Sequence, residues 1–352
     1  MIIIFNFLVL IVCFYLLYII CENYFIVSLE KIADKLNLSS DVAGATLMAV
    51  GSSAPELFIV LFSLIIPGNH LEIGIGTIVG SALFNLLFII GAVGIINKSY
   101  LIWQPFTRDI LFYFISIALL FFVLYDSQIS LFEAILLISC YVIYLFSLKF
   151  WKKIFPYKDF IEEKKPSADF NSSKYFITKF NKISIRVLDN IFIFKNNFIY
   201  VFFFSIILIA FLSWSLVESS ISIAHILKIP EAIISLTILA IGTSIPDLFS
   251  SLIVAKNGKG SMAISNAVGS NIFDILIGIG LPFLIYKFFS YSAIDIVNND
   301  ITFSIIALMG TLIILVFLLI INKWKLGIKS GFFLISIYLA YLIYEILNFY
   351  GF

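Results

Sequence analysis

The sequence predicts an all-α membrane protein, with ten transmembrane helices forming two inverted-topology five-helix repeats whose helices break at a shared polar site. Three observations predict it. Of 352 residues, 62% are hydrophobic and only 12% charged, with a mean hydropathy of +1.12, whereas soluble domains are about half apolar and a quarter charged. Polar breaks divide the chain into ten stretches long enough to cross a bilayer, which takes roughly 20 apolar residues. One glycine- and serine-rich block carrying an acid occurs twice.

The stretches fall near residues 2–27, 41–66, 71–96, 109–125, 129–150, 198–227, 231–255, 260–286, 299–321 and 330–349. The first is read as a span and not a secretory signal, because no basic residue precedes it, it runs too long and it has no small-residue cleavage site. Between the fifth and sixth lies a polar linker, 151–197, whose Phe and Ile suit a short helix on the membrane surface. It separates a first five-helix repeat, 1–150, from a second, 198–352. Basic residues favour the cytoplasm, so Lys31 and Lys35 after the first span put the N-terminus outside. Alternation then puts 20 basic residues on the cytoplasmic side, linker included, and leaves only Lys228 and Lys287 outside.

The composition also excludes. A net charge of +1 offers no basic surplus to nucleic acid. Cys13, Cys21 and Cys140 lie in apolar runs without C-x-x-C spacing, which argues against a disulfide framework and a structural zinc site. Glu22, Glu133, Glu218 and Glu345 stand near span ends and are read as structural residues reaching headgroup water, and His70 and His225 as surface residues of outer loops.

The first polar block, 41–96, contains GSSAPE (51–56) and GSALFN (80–85); the second, 231–286, contains GTSIPD (242–247) and GSNIFD (269–274). Equivalent positions are five spans apart, an odd number, so the copies face opposite ways, the signature of a secondary transporter with a midplane site. Pro55 and Pro246 lack backbone donors and Gly51 and Gly242 loosen the helix, freeing carbonyl oxygens. Irregular backbone at that depth must line a cavity or be buried in protein. Hydroxyls stand beside each break, Ser52 and Ser53 in one copy, Thr243 and Ser244 in the other, followed by Glu56 and Asp247. The facing motifs add Ser81 with Asn85 and Ser270 with Asp274, four apart and so on one helix face. Ala49 and Ala240 complete the candidate metal site.

Every donor atom in that set is oxygen, which suits hard cations such as Ca²⁺, with about 6–8 oxygen ligands, and not zinc or copper. An ionised side chain in a span costs at least ~2.5–3.5 kcal/mol unless compensated. No Lys or Arg lies in the blocks at that depth, so Glu56, Asp247 and Asp274 need three positive charges from solution. Ca²⁺ with a monovalent cation meets that count, as do three Na⁺; protons are the competing compensator. A hydroxyl in a span usually bonds its own helix backbone, and small residues usually mark helix packing. The recurrence of acid, proline and hydroxyl together in both copies is what lifts these residues above that reading.

At these motifs the chain resembles the cation/calcium exchanger superfamily and, more narrowly, the potassium-dependent sodium/calcium exchangers. The likeness rests on VSLEKIADKLNLSSDVAGATLMAVGSSAPELF from Val27, GTIVGSALFN from Gly76, TRDILFY from Thr107, YDSQISLFEA from Tyr125 and the run from Gly242 to Pro282. The resemblance implies a secondary antiporter that exchanges Na⁺ for Ca²⁺ together with K⁺ by alternating access, with those ions and membrane lipid as partners, no cofactor and no enzymatic activity. It further implies that Glu56 and Asp247 bind Ca²⁺ and Na⁺, that Ser52, Ser53, Thr243, Ser244, Ser81 and Ser270 add oxygens, and that Asp274 is tied to K⁺ use. Spans one and six become the moving elements. The expected location is the plasma membrane, with an organelle membrane as the alternative. A potassium-independent or proton-coupled exchanger on the same scaffold stays open. An intramembrane aspartyl protease would need a G-x-G-D setting that Asp274 lacks, and a channel would need a carbonyl filter motif absent here.

Overall fold

The computed structural model describes residues 2–35, 49–68, 70–125, 130–155, 184–192, 194, 197–256, 258, 260–289 and 299–350. The start of the first block (41–48), the body of the linker (156–183) and Lys259 lie outside them. Helix α1 (Ile2–Ile20) runs through a π-helical turn, Cys21–Phe25, into α2 (Ile26–Lys35). Next come α3 (Ala49–Ser52) and α4 (Ala54–Ile65), then a rod made of α5 (Leu71–Leu83), a π segment Phe84–Ile89 and α6 (Ile90–Ile96). Helices α7 (Trp103–Leu124) and α8 (Leu131–Ile154) close the first half.

The second half repeats this order. Helix α9 (Phe198–Leu227) is followed by α10 (Glu231–Ile234), a π segment Ser235–Leu239, α11 (Ala240–Thr243) and α12 (Ile245–Lys256). A second rod joins α13 (Gly260–Phe273), a π segment Asp274–Ile279 and α14 (Gly280–Phe289), before α15 (Asn299–Ile321) and α16 (Ile328–Tyr350). The only strands among the described residues, β1 (Ser99–Tyr100) and β2 (Lys325–Leu326), pair antiparallel and tie two connecting loops together.

Among the described residues eight helices are long and apolar enough to cross a membrane, nine when α10–α11 and α12 are counted as one span bent by 42°. The chain is an integral membrane protein. Ala54–Ile65 is a shorter apolar helix, and the residues that would extend it into a tenth span fall within 41–48. Most residues in the apolar stretch of the rod at Leu71–Ile96 are buried (83%), against 28% in Leu131–Leu148 and Ile328–Asn348, so the first is central and the other two are peripheral. Lipid tails are as apolar as leucine, so the centre is held by close packing, not by escape from water. Small residues permit that approach: Gly76 meets the Ser235 side chain, and a Cβ at Gly80 would stand 2.5 Å from the Leu236 carbonyl oxygen.

The apolar interior divides in two. One cluster joins both rods with residues of α7, α8, α15 and α16. The other joins α1 and α9 with Leu188 and Phe192, beside a short linker helix over 184–191. Tyr24 of the π-helical turn donates to Asp189 Oδ1 (3.1 Å) and stacks on Phe192, whose ring meets Phe204 of α9 edge-on.

Three sequence expectations need correction. Glu133 and Glu345 do not reach headgroup water: both are buried. Glu133 closes a capping box with Ser130, its Oε2 accepting from the Ser130 amide at 2.7 Å, and Glu345 accepts from the Ser304 hydroxyl at 2.9 Å. His70 is not a free surface residue, because its Nδ1 pairs with Glu231 at 2.9 Å and joins the starts of α5 and α10. Helix α7 begins six residues before the apolar run and buries Arg108 against Asp109 at 2.8 Å. Helical pairing of a charged residue with its neighbour leaves no trace in hydropathy. His225 and Glu218 are exposed, as expected.

Candidate ion-binding site

Each block breaks at its second serine. Ser53 has φ −94°, ψ 5° and Ser244 φ −83°, ψ 4°, the same bridge conformation in both copies. Pro55 and Pro246 follow as the second residues of α4 and α12, in the first turn, where an amide donor has no intrahelical partner to lose. The helix restarts identically, with Leu57 and Leu248 amides donating to the Ser53 and Ser244 carbonyls at 3.3 and 3.0 Å. The rod formed by α1 and α2 passes both breaks: Gly51 lies against Ile26 of α2 and Gly242 against Phe14 of α1.

The breaks deliver their acids to a common interior. Glu56, Asp247 and Asp274 are 1%, 2% and 0% exposed, sealed from solvent. The hydroxyls are exchanged between copies: Thr243 lies beside Glu56, and Ser52 beside Asp247. The Ser81 and Ser244 hydroxyls bond at 2.6 Å. Asn85 gives its amide to Asp247 Oδ2 (3.1 Å), Ser270 Oγ (3.3 Å) and Asn271 Oδ1 (2.9 Å). Ser53 lies beside Asp274, although neither that hydroxyl nor either Asp274 oxygen makes a well-formed hydrogen bond. The three carboxylates are within electrostatic reach of one another.

Ten of the twelve residues predicted for this site are thus gathered here. Ala240 opens α11 and its carbonyl accepts from the Ser244 amide at 3.3 Å; Ala49 opens α3 on the approach to the first break. Two features escaped the sequence reading. Asn271 bridges Asn85 to the Tyr113 hydroxyl (3.0 Å) and to the carbonyl of Ala82, its own counterpart in the other motif (3.0 Å). The mismatch of Asn271 with Ala82 between GSNIFD and GSALFN was the available signal. The π segments starting at Phe84 and Asp274 are the other; such insertions cluster at functional sites.

Chemically the cavity is an unbalanced set of acceptors. Glu56 Oε2, Asp247 Oδ1, both Asp274 oxygens and Asn85 Oδ1 are buried without a hydrogen-bond partner. Buried acceptors of this kind are normally satisfied, and a charged one left alone is costly. Among the described residues no three His, Cys, Asp or Glu side chains converge tightly enough to hold one metal ion, so the acids are spread over neighbouring positions.

Comparison with known proteins agrees with this geometry. The sodium/calcium exchanger protein family profile matches residues 6–150 and 197–347, omitting only the ends and the linker. Sodium/potassium/calcium exchanger 5 of Homo sapiens is 33% identical, with 96% of this chain and 82% of that protein aligned. Sodium/potassium/calcium exchanger 2 of Gallus gallus is 28% identical over 95% of this chain and 76% of the relative. The same fold occurs in the sodium-calcium exchanger NCX_Mj (TM-score 0.58, 22% identity, 96% of this chain and 98% of that one). It occurs also in the H⁺/Ca²⁺ exchanger CAX (TM-score 0.65, 14% identity, 96% and 80%). These relatives are ion exchangers and not enzymes, and the chain belongs to the sodium/calcium exchanger protein family.

Proposed function

We propose that this protein is a secondary antiporter that uses Na⁺ entry to expel Ca²⁺ together with K⁺, by alternating access around the site built from Glu56, Asp247 and Asp274. One observation carries the reading: three sealed carboxylates leave four oxygens unpartnered. Cations from solution are the compensators that fit an all-oxygen cavity. The hydroxyls, Asn85 and the carbonyls of Ala49 and Ala240 supply neutral oxygens around them. Relatives named sodium/potassium/calcium exchangers support K⁺ as the companion ion.

Ten spans in two inverted halves, 1–150 and 198–352, with 151–197 as a cytoplasmic linker and the N-terminus outside, account best for the matched breaks and the reciprocal exchange of Ser52 and Thr243. Alternating access then moves α1 and α9, which pack against each other, across the core formed by the other helices. We assign the protein to the plasma membrane. A proton-coupled Ca²⁺ exchanger is the second reading, favoured by the likeness to the H⁺/Ca²⁺ exchanger scaffold.

The test is uptake of radiolabelled Ca²⁺ into proteoliposomes under an outward Na⁺ gradient, with and without external K⁺. Uptake requiring both ions supports the proposal. Uptake driven by a pH gradient and indifferent to Na⁺ transfers the protein to the second reading.

A further inference from the structure

Asp274 stands apart from the other two acids in what surrounds it. Glu56 and Asp247 each have a threonine or serine of the opposite copy beside them, and Asp247 also accepts from Asn85. Two tyrosines from helices outside both repeated blocks also stand near Asp274. Tyr113 of α7 and Tyr141 of α8 are 0% and 6% exposed, and the Asp274 carboxylate is within electrostatic reach of both. The Tyr141 ring is fixed edge-on against Phe273, the residue before Asp274, with centroids 5.5 Å apart. Its hydroxyl is nevertheless buried with no hydrogen-bond partner, and so are both oxygens of Asp274. A tyrosine hydroxyl buried in protein normally finds a partner. The acid and the phenol do not bond each other, so each is an orphaned buried polar group on one of two neighbouring helical segments, and an ion held by both would satisfy them together.

We propose that the Tyr141 and Tyr113 hydroxyls, together with Asp274 and Ser53, form a monovalent-cation subsite, and that Tyr141 sets its affinity for K⁺. This rests on the reading of Asp274 as a transport residue. The ligand chemistry favours a monovalent ion: one carboxylate among neutral hydroxyls supplies a single negative charge, whereas Ca²⁺ affinity grows with the number of charged ligands. The Tyr113 hydroxyl accepts from Asn271, and that asparagine accepts from Asn85, which donates to Asp247. Occupancy of the subsite is thereby linked, through a continuous hydrogen-bonded chain, to the acid assigned to Ca²⁺.

Tyr141→Phe removes the hydroxyl and keeps the ring against Phe273 and Tyr144. In proteoliposomes, the K⁺ concentration giving half-maximal Na⁺-driven Ca²⁺ uptake should rise about tenfold, the loss expected for one hydroxyl ligand of a charged group. The Ca²⁺ concentration for half-maximal uptake at saturating K⁺ should change by less than about twofold on the same scale. A packing defect would shift both together, and that parallel shift, or an unchanged K⁺ requirement, overturns the assignment. A wild type indifferent to K⁺ overturns the reading of Asp274 and the subsite with it. Binding without transport gives an independent readout. In Na⁺-free detergent solution, KCl should raise the melting temperature of the wild type above that in N-methylglucamine chloride, and Tyr141→Phe should lose most of that rise; an equal rise in both proteins would also overturn it.

Discussion

Glu56 and Asp247 occupy equivalent places in the two motifs, and each has one oxygen left without a partner inside a sealed cavity. Their charge is therefore only sustainable with a cation beside them. Glu56→Gln or Asp247→Asn keeps the shape and removes one unit of that charge, and ligand charge count sets Ca²⁺ affinity. Either substitution should abolish most Na⁺-driven Ca²⁺ flux while leaving the amount of protein in the membrane near that of the wild type; near-normal flux in both would remove these acids from the site. Asp274 is matched by Asn85, so the copies differ by one negative charge at related positions. Asp274→Asn leaves two carboxylates, enough for Ca²⁺ alone, and a second cation would then be repelled without compensation. The variant's remaining Ca²⁺ transport should respond little to K⁺, measured as uptake with and without K⁺ on the Ca²⁺ side. Retention of the wild-type K⁺ dependence would contradict the assignment.

At the scale of the element, hydropathy and breaker residues located the helices well. The apolar stretches read at 71–96 and 198–227 coincide with a rod and with α9. The reason is physical: a lipid-facing or core-facing helix must be apolar along its whole length, so its ends are written as polar breaks. The site residues were legible for a related reason, because a carboxylate at that depth is anomalous. What stayed hidden was whatever depends on pairing across the fold. The His70–Glu231 contact and the Tyr141–Phe273 contact each join a residue to a partner that no local pattern specifies. Glycine contacts are of the same kind. Gly80 crosses the Ser235–Leu239 segment so closely that an added Cβ would meet the Leu236 oxygen at 2.5 Å, the Leu236 Cα at 2.8 Å and the Ala240 Cβ at 2.7 Å. Two of these are backbone atoms that cannot turn aside. Gly80→Ala should cost about 1–3 kcal/mol and lower the melting temperature in detergent. Gly310→Ala, in the interior of α15 with nothing within 4 Å of the added carbon, should be neutral or stabilising, by up to ~1 kcal/mol. Equal melting temperatures for the two variants would mean that the crossing is looser than drawn.

At the scale of the whole molecule, the side of the membrane that each hairpin occupies follows from the distribution of its basic residues. Charge bias assigns the ends holding Lys98, Lys256 and Lys325 to the cytoplasm and those holding Lys228 and Lys287 to the outside. The pairing of β1 with β2 brings two of these ends together, with Lys98 and Lys325 both over the Tyr100 ring, so a single orientation has to serve both loops. Glycosylation is a poor reporter here. The sequons at Asn37 and Asn171 lie outside the described residues, and at Asn97 the side-chain amide is half-buried and donates to the Ala255 carbonyl at 3.1 Å. Asn97 would then escape modification on either side of the membrane. Cysteine labelling avoids that ambiguity: Lys228 and Lys329 are exposed and predicted to lie on opposite faces, and Cys13 and Cys21 are buried. In a background with Cys140→Ser, a membrane-impermeant maleimide applied to intact cells should label Lys228→Cys at once and Lys329→Cys only after permeabilisation. The reverse pattern would invert the molecule and place the 151–197 linker outside. Labelling of both in intact cells would break the alternation of spans between Lys228 and Lys329, and with it the five-plus-five organisation that relates the two halves.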